Sequence, residues 1–521
     1  MMAEVSEQKS KIKPPSMIDA LIPVITLVIL LALAVYLYGG DATGGPFQIA
    51  LILAAIVASL VARKNGHSFE KIGKAAVDGV STAMGAIFIL LAVGALIGAW
   101  SMSGTIATMV YYGIQFLSPT WFYVASVVIC AAVALGIGSA WTVVGTLGVG
   151  LVGIATAIGV SPAIAAGAVI SGAYFGDKVS PLSETTNLAP AVAGTDLITH
   201  IKNMMSTTVP SILIALAIYA FIGLREDVVA TIDLTVALEV MESIFSISLW
   251  TLLPLAVVMV LAFRRFPATS SIMFGALLGG LVAVIWQPEV VLAFVDDPSL
   301  STPLAMVKGV WSAMATGFTI ETGYAGLDDL FSRGGMESML GTVWLILAAM
   351  AFGGIMEYTG MLARLIKPLV DRAKTDKSLL IATGLTAIGI NIVAADQYLA
   401  IVLTGNMYKQ EYEERSIAPQ TLSRQIEDTA TVTSPLIPWN SCGAYMSATL
   451  GIATAAYFPF CFFNLINPLL SFTYALLGFQ IKHVEPGEEY EETPEEVRFH
   501  GIEGQRSDTM THDDAMPIYE V

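Results

Sequence analysis

Charged side chains are scarce in this chain: Lys, Arg, Asp and Glu together make up 13% of its 521 residues. Between Gly79 and Gly176 none of the four occurs. A soluble domain needs charged residues over its surface, so this deficit excludes an ordinary soluble protein. Apolar residues make up 55% of the chain, and runs near the roughly 20 residues that cross a bilayer recur throughout. The composition predicts an all-α polytopic membrane protein with roughly 10 to 13 membrane elements.

Cysteine and histidine are also rare. The cysteines, Cys130, Cys442 and Cys461, lie in apolar or polar-motif sequence, which argues against a disulfide framework. The histidines show no ligand spacing and the chain lacks HExxH and GxSxG motifs, so we expect no structural metal, no cofactor and no enzyme activity. Nucleic acid is not an expected partner. The apolar run after Lys13 is too long for a signal peptide and predicts a first transmembrane helix with a cytoplasmic N-terminus.

Two short polar segments interrupt the apolar sequence, residues 176–187 and 427–440, one in each half. Each contains Ser-Pro-Leu, beginning at Ser180 and Ser434. Proline in a membrane helix removes a backbone donor, so each tripeptide predicts a broken helix. Half-helix ends with nearby oxygen atoms suit a small hard cation such as Na⁺. The candidate ion-binding or substrate-binding residues are Asp177, Ser180, Ser183, Glu184, Thr186, Asn187, Asp396, Glu427, Asp428, Thr429, Ser434 and Asn440.

Among these candidates Asp428 and Asp177 rank first as Na⁺ ligands. Burial disfavours the charged form of a carboxylate, whereas a bound cation stabilises that form. One such group therefore holds either a proton or Na⁺. If access changes only when one of the two is bound, exchange of Na⁺ for H⁺ follows. The sequence leaves open which carboxylate carries the proton.

Structural alternatives stand beside this hypothesis. Asp177 could form a neutralised pair with Lys178 at a helix end, and Asp396 and Glu427 could be interfacial charges. The hydroxyl groups could satisfy backbone carbonyls of kinked helices. Two asparagines could be helix caps; these are Asn187 and Asn440. The segment Thr195–Met205, with Asp196, His200 and Lys202, is predicted to be an interfacial amphipathic turn.

Matching landmarks predict an internal duplication: a helix ending at Trp100 precedes Gly104, and one ending near Met356 precedes Gly360. Loop 101–120 carries no Lys or Arg, whereas the equivalent loop 358–378 is rich in both. Basic loops stay in the cytoplasm, so the repeats are expected to be inverted, with discontinuous helices and re-entrant hairpins. The predicted divisions are 1–16 (cytoplasmic tail), 17–82 (N-terminal transmembrane helices and basic loop), 83–224 (first repeat), 225–335 (connecting or scaffold region), 336–480 (second repeat) and 481–521 (acidic, disordered tail).

In its polar motifs the chain resembles the NhaC family of sodium/proton antiporters. The resemblance rests on residues 170–190, 193–196, 396–399, 422–429 and 434–443. It implies a multi-pass antiporter of a bacterial or archaeal cytoplasmic membrane. It also implies a homodimer in which a mobile domain carries two hairpins and two broken helices. The family pattern leads us to expect glycine before Asp396, where this chain has Ala395.

The function expected from the motifs and the resemblance together is Na⁺/H⁺ exchange, with Na⁺, H⁺ and the lipid bilayer as partners. The alternative is a Na⁺- or H⁺-coupled exchanger or symporter of a small organic anion, such as malate or lactate, or of an amino acid. Such a carrier needs a cation to hold its anion. Lys178 is the one basic residue in either motif core, although helix N-termini could replace it.

Overall fold

The computed structural model describes residues 12–225 and 234–484, and it shows a helical protein. In those residues no β-strand forms, and Ile417 and His483 make one isolated antiparallel bridge. The predicted all-α fold class is therefore confirmed. The N-terminal tail up to residue 11 and most of the acidic tail, residues 485–521, lie outside the described residues.

The first half of the chain folds into helices joined by short turns. Several of these helices begin at a serine whose hydroxyl oxygen accepts a backbone N–H, as Ser16 does for α1 and Ser161 for α8. The helices are α1 (Met17–Tyr38), α2 (Pro46–Lys64), α3 (Phe69–Thr82), α4 (Met84–Met102), α5 (Thr105–Phe116), α6 (Phe122–Ile137), α7 (Ala140–Ile158), α8 (Pro162–Val179), α9 (Glu184–Ala193) and α10 (Leu197–Arg225).

The second half begins with six helices in the predicted connecting region and continues with the helices of the predicted second repeat. These helices are α11 (Leu234–Ile244), α12 (Leu253–Phe263), α13 (Ala268–Trp286), α14 (Pro288–Val295), α15 (Thr302–Ala315), α16 (Ala325–Phe331), α17 (Leu340–Tyr358), α18 (Met361–Arg372), α19 (Asp376–Val393), α20 (Gln397–Glu414), α21 (Pro419–Ile426), α22 (Ser441–Leu450), α23 (Thr454–Tyr457) and α24 (Phe462–Leu477). The α21 helix continues as a π-helical turn, Glu427–Thr431.

Nine helices of the described residues are long and apolar enough to cross a membrane, or up to eleven if two bent helix pairs each form one span. Large apolar side chains project outward from them, and Val28 and Leu281 are 55% and 54% exposed. An outer surface of this kind needs a lipid environment. The protein is therefore a multi-pass membrane protein, as the composition predicts.

The α6 and α7 helices follow one another with a turn at Gly138 and Ser139, and we call them the first hairpin, with these two residues at its tip. Ser161, just beyond α7, donates its backbone N–H to the hydroxyl of Tyr123 near the start of α6, at 2.9 Å. The chain reverses at the tip because Gly138 adopts a left-handed conformation, with φ of 75°. Ser139 then caps α7 by accepting the backbone N–H of Thr142.

The α19 and α20 helices form the second hairpin, with residues 394–396 at its tip. The hydroxyl groups of Thr386 and Tyr408 hydrogen-bond across it at 2.8 Å. Ala395 adopts the left-handed conformation here, with φ of 59°, and Asp396 caps α20 by accepting the backbone N–H three residues on. The tip thus has the backbone that favours glycine, although its residue is alanine.

Two glycine turns precede the hairpins at matching places. Gly104 begins α5 with φ of 72° and ψ of 8°, and Gly360 begins α18 with φ of 72° and ψ of 6°. In each half a hairpin follows, and then a broken helix. This order is what the predicted duplication requires, while the inverted orientation of the repeats and the domain boundaries stay predictions.

Candidate functional site

The first broken helix consists of α8 and α9, separated by residues 180–183. Pro181 brings no backbone N–H and holds the residue before it in an extended conformation, so Ser180 ends α8 with φ of −80° and ψ of 127°. Ser183 then caps α9 by accepting the backbone N–H of Thr186 at 3.5 Å. The helix break predicted at the first Ser-Pro-Leu is confirmed.

The second broken helix consists of α21 with its π-helical extension, a break at residues 434–440, and α22. Residues 434–436 form a single 3₁₀ turn. Asn440 caps α22, since its side-chain oxygen accepts the backbone N–H of Cys442 at 3.0 Å. The helix-cap alternative is therefore correct for Asn440. It is wrong for Asn187, which donates to the carbonyl of Pro181 at 3.0 Å.

Each hairpin tip packs on the broken helix that follows it. In the first half, the Ser180 hydroxyl donates to the carbonyl of Leu135 at 2.8 Å. In the second half, the Trp439 indole N–H donates to the carbonyl of Ile392 at 2.7 Å. Polar groups near each break are thus paired across the neighbouring tip, as buried polar groups require.

The hairpins also contact the opposite broken helix. Trp141 in α7 stacks on Tyr445 in α22 with ring centroids 4.1 Å apart, and the Tyr445 hydroxyl donates to the Trp141 carbonyl at 2.8 Å. Tyr398 in α20 donates its hydroxyl to the carboxylate of Glu184, at the start of α9, at 2.5 Å. The two halves therefore interlock, and the two polar motifs meet between them.

A buried ion pair joins the two motifs. The Lys178 ammonium lies 2.7 Å from Oδ1 of Asp428, 250 residues further along the chain, and neither side chain is exposed. Thr207 of α10 donates a second hydrogen bond to the same carboxylate oxygen at 3.0 Å. The alternative in which Lys178 neutralises Asp177 is therefore wrong. The partner of Lys178 comes from the other half because the end of α8 reaches the π-helical turn that follows α21.

Several carboxylate oxygens at this centre have no hydrogen-bond partner among the described residues. Both oxygens of Glu427 are buried in this state, as are Oδ1 of Asp177 and Oδ2 of Asp428. The charges of Lys178 and Asp177 act on Glu427, and the hydroxyl groups of Thr185 and Thr431 are near it. The centre therefore collects three buried carboxyl groups from two helix breaks against the ammonium group of Lys178 and the guanidinium group of Arg424, whose charge acts on Asp428.

Most of the predicted hydroxyl ligands serve the backbone instead. The Thr186 hydroxyl donates to the carbonyl of Lys178 at 3.0 Å, and that of Thr429 to the carbonyl of Gln425 at 2.6 Å. The Ser434 hydroxyl lies 2.8 Å from the carbonyl of Thr431 and 2.7 Å from the side-chain oxygen of Gln397. These contacts agree with the alternative in which the hydroxyl groups donate to backbone carbonyls of kinked helices.

The structure brings Asp177, Glu427 and Asp428 together as buried groups, and the charge of Glu184 also acts on Asp177. Glu184 is exposed and bonded to Tyr398. Asp396 lies at the second hairpin tip, where its other oxygen, Oδ2, accepts from the Ser441 hydroxyl at 3.3 Å. The proposal that Glu427 is an interfacial charge is wrong, because its side chain is 0% exposed.

The site predicted from the sequence did not include the polar residues of α10 and α21 that lie beside the centre. His200 and Asn203 are buried, so the predicted interfacial turn at 195–205 is wrong for them, although Asp196 and Lys202 are exposed. With Thr207 they are spaced three and four residues apart. That spacing indicates one helix face and could have been recognised.

Hairpins packed on two interrupted helices, around buried carboxyl groups in a multi-pass helical protein, define the class of membrane transporters. Residues 172–479 match the Na⁺/H⁺ antiporter family. The chain belongs to this family, as its motifs predict.

Relatives that match most of the chain are antiporters. The chain is 37% identical over 431 residues to the Na⁺/H⁺ antiporter NhaC of Alkalihalophilus pseudofirmus, covering 83% of this chain and 90% of that one. It is 34% identical to the Na⁺/H⁺ antiporter NhaC of Bacillus subtilis, covering 83% and 92%. It is also 31% identical to the malate-2H⁺/Na⁺-lactate antiporter of Bacillus subtilis, covering 83% and 90%.

Proposed function

We propose that this protein exchanges Na⁺ for H⁺ across the cytoplasmic membrane, with both ions using the buried carboxyl groups of Asp177, Glu427 and Asp428. The observation that carries the proposal is the charge imbalance at this centre. The ammonium of Lys178, with the guanidinium of Arg424 acting on Asp428, faces three carboxyl groups whose oxygens are partly unpaired. Burying unpaired negative charge is costly, so protons or cations are expected to neutralise the remainder.

Na⁺ is best accommodated on the side of Asp177 and Glu427. Their unpaired carboxylate oxygens, with the hydroxyl oxygens of Thr185 and Thr431 near Glu427, offer the hard ligands that a small cation prefers. Asp177 retains 9% exposure and the charge of the exposed Glu184 acts on it, and we propose this side as the entry for Na⁺. Lys178 is engaged by Asp428, and bound Na⁺ and Lys178 repel each other.

Alternating access supplies the exchange. When protons neutralise the carboxyl groups Na⁺ leaves, and when Na⁺ binds the protons leave, because the centre does not favour both. The hairpin and broken helix of the first half are proposed to face one side of the membrane, and those of the second half the other side. Movement of the two units relative to one another then changes which side has access to the centre. The basic loops place the N-terminus in the cytoplasm in this proposal, and a second copy of the chain completes a homodimer.

The test is transport by purified protein in liposomes that contain a pH-sensitive dye. Adding NaCl outside, with no organic solute, should move protons out of the liposomes and raise their internal pH. The same amount of choline chloride should have no effect. If the pH changes only when malate, lactate or an amino acid is also present, Na⁺/H⁺ exchange is not the function.

Neutral variants test the centre itself. Asp428→Asn and Asp177→Asn should each abolish or strongly impair Na⁺-dependent proton movement, because each removes a group that exchanges Na⁺ for H⁺. Elution as a single species from size-exclusion chromatography checks that the variants are folded. Transport at the wild-type rate in both variants would remove these residues from the site.

Exchange of a small organic anion is the second candidate, and the 31% identity to the malate-2H⁺/Na⁺-lactate antiporter favours it. The geometry of the centre disfavours it. Lys178 is already engaged by Asp428, and the start of α9 carries Glu184, which would repel an anion. Uptake of labelled malate or lactate into Na⁺-loaded liposomes decides between the two candidates.

A further inference from the structure

A row of buried polar side chains leads from one end of α21 to the carboxyl centre. His200, Asn203 and Thr207 lie on one face of α10, and each is at most 1% exposed. Lipid-facing residues of the same helix, such as Leu213, are 59% exposed. Polar side chains are costly inside a membrane protein, so a whole face of them requires a reason.

This face of α10 is bonded to α21 at three levels. The Asn203 amide donates to the carbonyl of Gln420 at 2.6 Å. The His200 ring nitrogen Nδ1 and the Ser423 hydroxyl share a hydrogen bond of 2.8 Å. We call these residues, with Thr207 and Asp428, the polar ladder.

One end of the ladder is partly exposed and the other end is buried. Gln420 is half-buried near the start of α21, where Lys482 accepts a backbone N–H from Ala418. At the other end Thr207 donates to Asp428, which is 0% exposed. The ladder therefore lies between the surface at the start of α21 and the centre.

Polar atoms along the ladder have unused bonding capacity. Nε2 of His200, Oδ1 of Asn203, and Nε and Nη2 of Arg424 are buried with no hydrogen-bond partner in the part of the chain that the structure describes. Buried donors and acceptors of this kind are where ordered water binds. Hydroxyl and imidazole groups, with water that the amide holds between them, conduct protons, whereas a fixed row of this kind gives Na⁺ no set of anionic ligands.

We propose that the polar ladder is the proton route between the surface at the start of α21 and the Asp428–Lys178 pair, separate from the Asp177 side by which Na⁺ arrives. The proposal rests on the proposed exchange of Na⁺ for H⁺. Each water or hydroxyl accepts one proton and passes on another, so the ladder is unchanged after a proton has crossed it. Arg424 beside the ladder and Lys178 at its inner end are the cations facing it, and both repel Na⁺ from this path.

The test separates proton delivery from Na⁺ movement by two assays in liposomes. Exchange of labelled Na⁺ for unlabelled Na⁺ needs no net proton transfer, whereas Na⁺-driven pH change does. Asn203→Leu keeps the size of the side chain and removes its polar atoms. We expect it to slow Na⁺/H⁺ exchange at least about tenfold, the order of effect of losing a proton-transfer group, and to leave Na⁺/Na⁺ exchange within about twofold.

Three variants make the result specific. Asn203→Ser, which restores a polar group and room for water, should recover most of the Na⁺/H⁺ rate. His200→Leu should behave like Asn203→Leu. Lys202→Leu alters the exposed neighbour on the same helix and should change neither assay.

Equal loss of both exchange modes in Asn203→Leu and His200→Leu would show a structural role and overturn the proposal. Wild-type rates in both assays would also overturn it, because protons would then use another path. Failure of the proposed function is distinguishable, since the wild-type protein itself would then show no Na⁺-driven pH change.

Discussion

The two broken helices share a backbone plan but differ in chemistry. Both follow a hairpin whose tip packs on the break, through Ser180 in the first half and Trp439 in the second. The first break supplies the ammonium of Lys178 and lies next to the exposed Glu184 and Asn187. The second supplies two adjacent carboxyl groups, Glu427 and Asp428, that are fully buried. The difference teaches that matching backbones can carry different charges: the first break contributes one buried carboxyl group and the ammonium group, and the second contributes two buried carboxyl groups.

The largest effect on stability is expected at the buried ion pair that links the two halves. Lys178→Met leaves Asp428 buried and unpaired, so we expect a loss of about 3–5 kcal/mol in the free energy of unfolding. Adding Asp428→Asn should recover most of this loss, because the unpaired charge is then gone. Chemical denaturation in detergent measures both variants.

The control for this prediction is the exposed pair of Lys308 and Asp297, whose N–O distance is 2.8 Å. Lys308→Met should change the free energy of unfolding by less than about 1 kcal/mol, as for other surface pairs. An equally small effect of Lys178→Met would contradict the buried ion pair as a link between the halves.

The next effect separates buried from exposed carboxyl groups. Glu427→Gln should abolish Na⁺-driven pH change in liposomes, because it removes the buried carboxylate with two unpaired oxygens. Glu184→Gln should retain much of the rate, since Glu184 is exposed and bonded to Tyr398. The reverse order of rates would place the ion site at the first break instead.

A smaller effect compares the two hairpin tips. A methyl group added at Gly138 would lie 2.6 Å from the carbonyl carbon of Leu182, and the backbone there is left-handed. Gly138→Ala should therefore destabilise the protein by about 2–3 kcal/mol. Ala395→Gly removes a strained alanine from the other tip and should stabilise the protein by up to about 1 kcal/mol. Melting temperatures in detergent check both signs, and destabilisation by Ala395→Gly would refute this comparison.

The smallest effect is expected at the two contacts between a hairpin and the broken helix of the opposite half. Tyr445→Phe leaves the Trp141 carbonyl without its donor in a buried place, so we expect a loss of about 1–2 kcal/mol. Tyr398→Phe removes a bond to an exposed carboxylate that water can replace, and the loss should stay below about 1 kcal/mol. The same melting assay ranks them, and equal losses would show that exposure does not distinguish the contacts.

Local chemistry made a large part of this protein predictable from its sequence. The deficit of charge and the recurring apolar runs required a membrane fold. Pro181 and Pro435 located the two breaks because proline acts on the backbone next to it in any context. The first-ranked carboxyl groups, Asp177 and Asp428, do lie at one centre with Glu427. That they bind ions stays a prediction.

Other features depend on which helices pack together, and no local pattern reveals that. The partner of Lys178 is far along the chain rather than the adjacent Asp177, because the ammonium group points across to α21. His200 and Asn203 are polar residues near a helix start, which usually indicates an interface, yet α21 covers them.

By itself the sequence determined the membrane class, the two breaks and the family, since each follows from composition, proline geometry or a motif. Only the tertiary structure decided which charges meet, which carboxylate oxygens stay unpaired, and which polar faces are buried. The physical reason is that the cost of a buried charge depends on neighbours contributed by distant segments, and these become neighbours only when the helices pack.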